Sequence, residues 1–123
     1  MKHNSDFKYD LLVGLEYEGK VADMLRNKKV EVKTDFIAHK TGNIAIEFQS
    51  RGKPSGISIT EADYYVYLIP FAPLSEIMIV AKVSELKKIT RIFGKQNGVK
   101  TMGDSNTSKS VLIPIKRLFK HED

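Results

Sequence analysis

Apolar side chains recur at helical spacing in the first quarter of the chain. Within residues 6–27, Leu11, Leu15, Ala22 and Leu25 follow one another in steps of three, four or seven residues. Such steps return to the same side of an α-helix. The pattern therefore predicts a long first helix with an apolar stripe that faces a sheet.

From residue 29 the apolar pattern changes to a period of two. Residues 29–38 alternate with Val30, Val32, Thr34, Phe36 and Ala38 on one side, and residues 43–50 alternate again. This is the pattern of half-buried strands. The segment His39-Lys40-Thr41-Gly42-Asn43 between them is typical of a tight turn, because glycine takes the left-handed conformation that closes one. We therefore predict a β-hairpin.

The rest of the chain predicts two more strands, a helix and a last strand. Residues 64–69 form a buried apolar run that Pro70 and Pro73 interrupt, and a branched apolar run follows at 76–83. A helix is predicted from Ser84, and residues 111–115 read as the last strand. In that helix Leu86, Ile89 and Phe93 face inward. The prediction is one α/β domain, residues 1–123, with a central mixed sheet flanked by helices.

Composition excludes several classes of protein. The 123 residues are 41% hydrophobic and 28% charged, which is ordinary for a globular domain. The chain has no cysteine, so disulfides, thiolate nucleophiles and Cys-ligated zinc are excluded, and a cytoplasmic location is expected. No signal peptide or membrane-spanning run is apparent. Its three histidines, His3, His39 and His121, lack the spacing of metal ligands.

Positive charge is concentrated in the second half of the chain. Residues 82–120 contain ten Lys or Arg and only two acids, and the net charge of the whole chain is +5. Such a surface attracts a polyanion such as nucleic acid, although solubility alone also explains it. The candidate nucleic-acid contacts are Lys87, Lys88, Arg91 and Lys95 on the second long helix, and Arg51 and Lys53 in the loop after the hairpin.

The predicted hairpin brings two acids together. If Lys40, Thr41 and Gly42 form the loop, Asp35 lies directly opposite Glu47, and Lys33 lies opposite Gln49. Opposed like charges destabilise a sheet unless something compensates. A divalent cation such as Mg²⁺ or Mn²⁺ would do so, since carboxylates are its preferred ligands. The alternative is a solvated face whose ion pairs contribute about 0 to 1 kcal/mol each.

Glu18 lies within the apolar stripe of the first helix, where a charge is unexpected. It either reaches the metal, directly or through water, or extends to solvent from the edge of the stripe. Glu16 is the rival and is less well aligned with the stripe. The tyrosines at 64, 65 and 67 either stack on bases or divide between the core and a subunit interface.

Residues 14–67 resemble the PD-(D/E)xK nuclease superfamily, the restriction-endonuclease-like fold that includes Holliday junction resolvases and small phage endonucleases. In that family a helical Glu, an Asp at a strand and an acid-x-Lys pair on the next strand bind metal and cleave DNA. The resemblance maps these roles onto Glu18, Asp35 and Glu47. Thr34 replaces the motif's proline, and Gln49 replaces its lysine, as in some family members.

The resemblance implies a Mg²⁺-dependent deoxyribonuclease that acts as a homodimer. Glu18, Asp35 and Glu47 would hold the ion, Gln49 and Lys33 would position water and phosphate, and Lys33 or Lys53 would supply the ammonium. The principal alternative is a nuclease-fold protein that has lost catalysis and binds nucleic acid, with Gln49 as the trace of that loss. A protein-interaction module is the third class.

Overall fold

The computed structural model describes residues 7–97, 100–102 and 107–119. Its helices are α1 (Phe7–Asn27), α2 (Ala38–Thr41) and α3 (Val83–Asn97). Its strands are β1 (Val30–Thr34), β2 (Asn43–Ser50), β3 (Lys53–Pro54), β4 (Tyr64–Ala72), β5 (Ser75–Lys82), β6 (Lys100–Met102) and β7 (Ser108–Pro114). Short 3-10 turns follow β3 and β7. The α/β class and both long helices are confirmed. None of the helices described is long and apolar enough to cross a membrane.

The strands form two small sheets. The first has the order β1-β4-β5, in which β1 runs parallel to β4 and β5 runs antiparallel to it. The second has the order β3-β2-β7-β6 and is antiparallel throughout. The prediction of one central mixed sheet was therefore wrong. Alternation identified β1 and β2, and apolar runs identified β4, β5 and β7, but neither pattern specifies which strand pairs with which.

The predicted hairpin between β1 and β2 does not form. The carboxylate Oδ1 of Asp35 accepts hydrogen bonds from the backbone N–H groups of Ile37 (3.0 Å) and Ala38 (2.9 Å). These bonds start the single turn of α2, and Gly42, at φ +75°, ends it by donating its N–H to Ala38. Aspartate and glycine serve a short helix as well as a β-turn.

The strand register deduced from that hairpin was therefore wrong as well. Asp35 is not paired with Glu47, and Lys33 is not paired with Gln49, because β1 and β2 belong to different sheets. Phe36 was expected in the core but is 70% exposed. Ala38 is buried as expected, although it lies in α2 rather than in a strand.

The tight hairpin of this region lies further along the chain, between β2 and β3. Arg51 and Gly52 form its two-residue turn, with φ values of +51° and +78°. Two consecutive positive φ angles are the signature of the hairpin turn whose twist matches the flanking strands. Arg51 is the unusual member, because glycine, asparagine and aspartate dominate such positions.

One hydrophobic core joins both sheets to α3. Leu86, Ile89 and Phe93 of α3 are buried as predicted. They belong to a cluster that includes Ile44, Ile46, Val111 and Ile113 of the second sheet and Tyr65, Tyr67 and Ile69 of β4. Helix α1 contributes no residue to this cluster. Its stripe was predicted to face a sheet, but Leu15 is 53% and Leu25 is 72% exposed, so that prediction was wrong.

Gly56 begins the 3-10 turn Gly56–Ser58 and has a φ of +51°. A Cβ atom at this position would overlap the backbone carbonyl of Glu47 and lie 3.0 Å from its carbon. Gly42 also has a positive φ, but a Cβ there would meet no atom within 4 Å.

We expect Gly42→Ala to lower the free energy of unfolding by about 1 kcal/mol, because only its left-handed backbone is strained. Gly56→Ala should cost about 2 kcal/mol or more, because a steric clash adds to the strain. Urea denaturation of the two variants measures the difference. Equal losses would show that β2 and the 3-10 turn do not approach each other so closely.

Candidate active site

A cleft of about 220 Å³ opens where the two sheets meet. The residues that line it come from the end of β1, from β2, from β4 and from the turn after β3: Lys33, Thr34, Asp35, Ala45, Glu47, Gly56, Tyr65 and Tyr67. Lys33, Asp35 and Glu47 were predicted site residues. The fold brings these three into one cleft by a different route from the predicted hairpin.

Asp35 follows β1 directly and is half-buried. Its backbone N–H donates to the carbonyl of Leu68 (2.9 Å), which continues the parallel pairing with β4 by one residue. Its Oδ1 caps α2, as described above. Among the described residues, no donor is hydrogen-bonded to Oδ2. One carboxylate oxygen of Asp35 therefore caps α2, and the other is available to a ligand.

Glu47 reaches the cleft from β2, opposite Ser110 of β7. Its Oε2 accepts a hydrogen bond of 2.8 Å from the hydroxyl of Ser55. Its Oε1 has no hydrogen-bond donor within the described part of the chain. The turn after β3 packs closely on β2 only because Gly56 lacks a side chain. Glu47 thus resembles Asp35 in having one engaged oxygen and one available oxygen.

Lys33 supplies positive charge to the cleft. Its ammonium lies 2.6 Å from Oε2 of Glu31 and 5.7 Å from the centre of the Tyr65 ring. The hydrogen bond with Glu31 raises the pKa of Lys33, and the charge of Glu47 raises it further. The same bond lowers the pKa of Glu31. Lys33 is therefore a cation throughout the neutral range.

Tyr65 and Tyr67 form one wall of the cleft, with ring centroids 6.0 Å apart. Tyr65 is 1% exposed, and its hydroxyl has no hydrogen-bond partner among the described residues. The neighbouring Thr60 hydroxyl donates to Glu31 (2.8 Å) and accepts from Ala62 (3.1 Å) instead. Buried hydroxyl groups are usually hydrogen-bonded, so this hydroxyl is an exception within the described fold.

The sequence did not identify Tyr65 as a site residue. Its signal was the spacing of Tyr65 and Tyr67, which places both on one face of β4. Parallel pairing then sets Glu31 beside Tyr65 and Lys33 beside Tyr67. That pairing joins residues more than thirty positions apart, which a local pattern cannot show.

Glu18 does not reach the cleft. It lies on α1 and lines a shallow apolar groove with Gly14, Tyr17, Val21, Ala22 and Leu25. Its rival Glu16 is also exposed on α1. Within the described residues no three His, Asp or Glu side chains are grouped so that they could hold a metal ion. The structure therefore brings together two of the three predicted metal ligands.

Gln49 is separated from Glu47 by a β-bulge. Glu47 pairs with Ser110, and Gln49 pairs with Lys109. Phe48 lies between Glu47 and Gln49 on β2, whereas Lys109 and Ser110 are adjacent on β7. Successive residues of a strand point to opposite faces, so the bulge turns Gln49 away from the side of Glu47. Gln49 does not line the cleft. The acid-x-Lys pattern assumes unbroken alternation, and here the alternation is broken.

The predicted basic residues divide into two groups. Lys88, Arg91 and Lys95 line a groove of about 290 Å³ on α3 together with Ile92 and Gln96, and Lys87 is exposed on the same helix. Arg51 and Lys53 are exposed at the β2–β3 hairpin, and neither lines the cleft. The ammonium in the cleft therefore belongs to Lys33 and not to Lys53. His39 is exposed on α2, whereas His3 and His121 lie outside the described residues.

Comparison of the chain with protein-family models, with curated proteins and with solved structures gives no match.

Because Tyr67 is buried, the free energy of unfolding should decrease as the pH rises into the alkaline range. Burial raises the pKa of Tyr67 far above the usual value near 10, and Tyr67 is 3% exposed. The folded protein therefore keeps the phenolic proton at a pH where the unfolded chain loses it. Stability should be complete below about pH 10 and fall above it, by at most about 1.4 kcal/mol per pH unit for one group.

Tyr67→Phe should make the free energy of unfolding fall less steeply between about pH 10 and 11. Urea denaturation across this range measures the slope. Tyr17→Phe is the control, because Tyr17 is exposed on α1. An unchanged slope in Tyr67→Phe would mean that Tyr67 ionises in the folded protein.

Proposed function

We propose that this chain is a divalent-metal-dependent endonuclease of the restriction-endonuclease-like type that hydrolyses phosphodiester bonds in DNA. One observation carries the proposal: Asp35, Glu47 and Lys33 line a single cleft although they come from two separate sheets. These are three of the residue types that the PD-(D/E)xK resemblance requires. Their convergence does not depend on the hairpin from which they were first inferred.

The cleft suits a hard divalent cation. Oδ2 of Asp35 and Oε1 of Glu47 are available, and carboxylate oxygens are the ligands that Mg²⁺ and Mn²⁺ prefer. Mg²⁺ keeps several of its waters and is commonly held by one or two carboxylates together with substrate phosphates. Two carboxylates are therefore enough to fit it. When bound, the ion would make its water more acidic and offset the charge of the phosphate.

The side chains around these acids can bind a phosphodiester. The Lys33 ammonium can donate to a phosphate oxygen and stabilise negative charge that develops in the transition state. Glu31 keeps Lys33 beside the Tyr65 ring. The cleft therefore offers one cationic donor beside two carboxylates.

The basic groove of α3 supports DNA as the substrate. Three cationic side chains along one helix face match the regular negative charge of a nucleic-acid backbone. Paired cuts in two strands would need two copies of so small a site, so we also propose that the nuclease acts as a homodimer.

A second candidate function is nucleic-acid binding without cleavage. Gln49 faces away from Glu47, and Glu18 lies apart on α1. Both departures remove groups that the family uses in catalysis. On this alternative the α3 groove would bind DNA, and the cleft would be a remnant.

Glu47→Gln and Asp35→Asn test the first function. Both are nearly isosteric, so the hydrogen bonds to Ser55 and to α2 can persist while the negative charge is lost. We expect Mg²⁺- or Mn²⁺-dependent cleavage of linear, nicked or branched DNA by the parent. Either variant should cut at least about 100-fold more slowly.

Glu61→Gln is the matched control, because Glu61 is an exposed carboxylate that is paired only with Lys29. Thermal unfolding gives a second readout: Mg²⁺ should raise the melting temperature of the parent and of Glu61→Gln but not of Glu47→Gln. DNA binding by the parent without any cutting would support the second function and refute the first.

Arg91→Ala combined with Lys95→Ala tests the α3 groove. DNA affinity, measured by fluorescence anisotropy, should fall, and the dependence of log affinity on log salt should become less steep by roughly two, one for each lost phosphate contact. Lys28→Ala is the control, because Lys28 pairs with Asp23 beside α1. An unchanged salt dependence would show that DNA does not contact this groove.

A further inference from the structure

Two apolar faces of the described chain lack a covering element. The helix face is formed by Leu11, Leu15, Val21, Ala22 and Leu25 of α1, of which the four larger side chains are 50–72% exposed. The outer sheet face lies on the β1-β4-β5 sheet, opposite the core, where Val32, Val66 and Val80 form one cross-strand row and Leu68 and Met78 form the next. Val32 is 59% and Met78 is 59% exposed.

We propose that the chain forms a symmetric dimer in which the helix face of each copy packs on the outer sheet face of the other. The inference does not rest on the proposed nuclease activity. A sheet and an amphipathic helix each need a covering layer, and here one molecule carries both halves of the missing layer. Reciprocal exchange between two copies covers all four faces at once and closes the assembly.

The start of β1 is anchored directly after α1. The backbone N–H of Lys29 donates to Oδ2 of Asp63 (2.9 Å), and its carbonyl accepts from the N–H groups of Asp63 (2.8 Å) and Tyr64 (3.2 Å). The helix face does not cover the outer sheet face of its own copy, because Leu15 of α1 is 53% exposed and Val32 of β1 is 59% exposed. The sheet of a second copy is therefore the occupant assigned to the helix face.

The size of the faces suits a dimer. A helix of 21 residues is about 31 Å long and about 10 Å wide. Each helix–sheet contact would then bury roughly 300 Å² on each of its two surfaces. Two such contacts bury about 1,200 Å² in total, which reaches the lower end of stable protein interfaces.

Charge is complementary between the two faces. Glu18 lies in the middle of the helix face, in the groove that Leu25 and Val21 also line. Lys82 lies at one end of the outer sheet face, because it pairs with Tyr64 in the row next to Val80. A buried glutamate needs a partner, and Lys82 of the second copy would supply one. This gives Glu18 a role away from the cleft.

The test uses one variant on each face. Leu15→Glu places a negative charge in the helix face, and Val80→Glu places one in the outer sheet face. Both positions lie outside the core. Light scattering after size exclusion should give twice 13.9 kDa for the parent and 13.9 kDa for each variant alone. An equimolar mixture of the two variants should associate more than either variant alone, because only the mixture contains a contact between an intact helix face and an intact sheet face.

Lys40→Glu is the control and should stay dimeric, because Lys40 lies on α2 outside both faces. Circular dichroism checks that every variant is folded. A monomeric parent would overturn the proposal, and so would a variant of either face that stays dimeric alone. A mixture of folded variants that associates no more than either variant alone would overturn the pairing of the helix face with the outer sheet face.

Discussion

The rest of the fold depends on the two hydrogen bonds that Oδ1 of Asp35 accepts from the start of α2. They stabilise a single helical turn after β1, where a hairpin would instead place the next strand antiparallel to β1. The chain then enters a second sheet, and β1 is left to pair with β4. The cleft exists because the two sheets are separate and meet at this turn. One carboxylate thus caps the turn between the two sheets and also faces the proposed site.

The cleft brings charges together in a balance that depends on Lys33. Glu31 holds the ammonium at 2.6 Å, and Glu47 also interacts with it. Two acids around one cation leave net negative charge, which favours a divalent ion near Asp35 and Glu47. The charge balance of the cleft is therefore the feature on which the proposed metal site rests.

Local patterns determined much of this protein. Helical spacing identified α1 and the inward residues of α3, alternation identified β1 and β2, and apolar runs identified β4 and β5, because these signals depend only on neighbours within one element. Asp35, Glu47 and Lys33 were named as a group from a hairpin register that does not form, so their route into one cleft was not predicted. The apolar run at β4 was predicted to stop at Pro70, where the neighbouring β1 has already ended and proline costs little.

Tertiary structure decided what joins to what. An aspartate followed by a glycine seven residues later suits both a β-hairpin and a capped helical turn, so residues 35–42 alone could not specify which of the two forms. Parallel pairing of β1 with β4 and the bulge after Glu47 are settled by contacts between distant residues. They placed Tyr65 in the cleft, turned Gln49 away and left Glu18 on an exposed helix. The sequence determined which charged residues are candidates for a site, and long-range packing decided which of them meet, because the free energy of pairing belongs to both strands together.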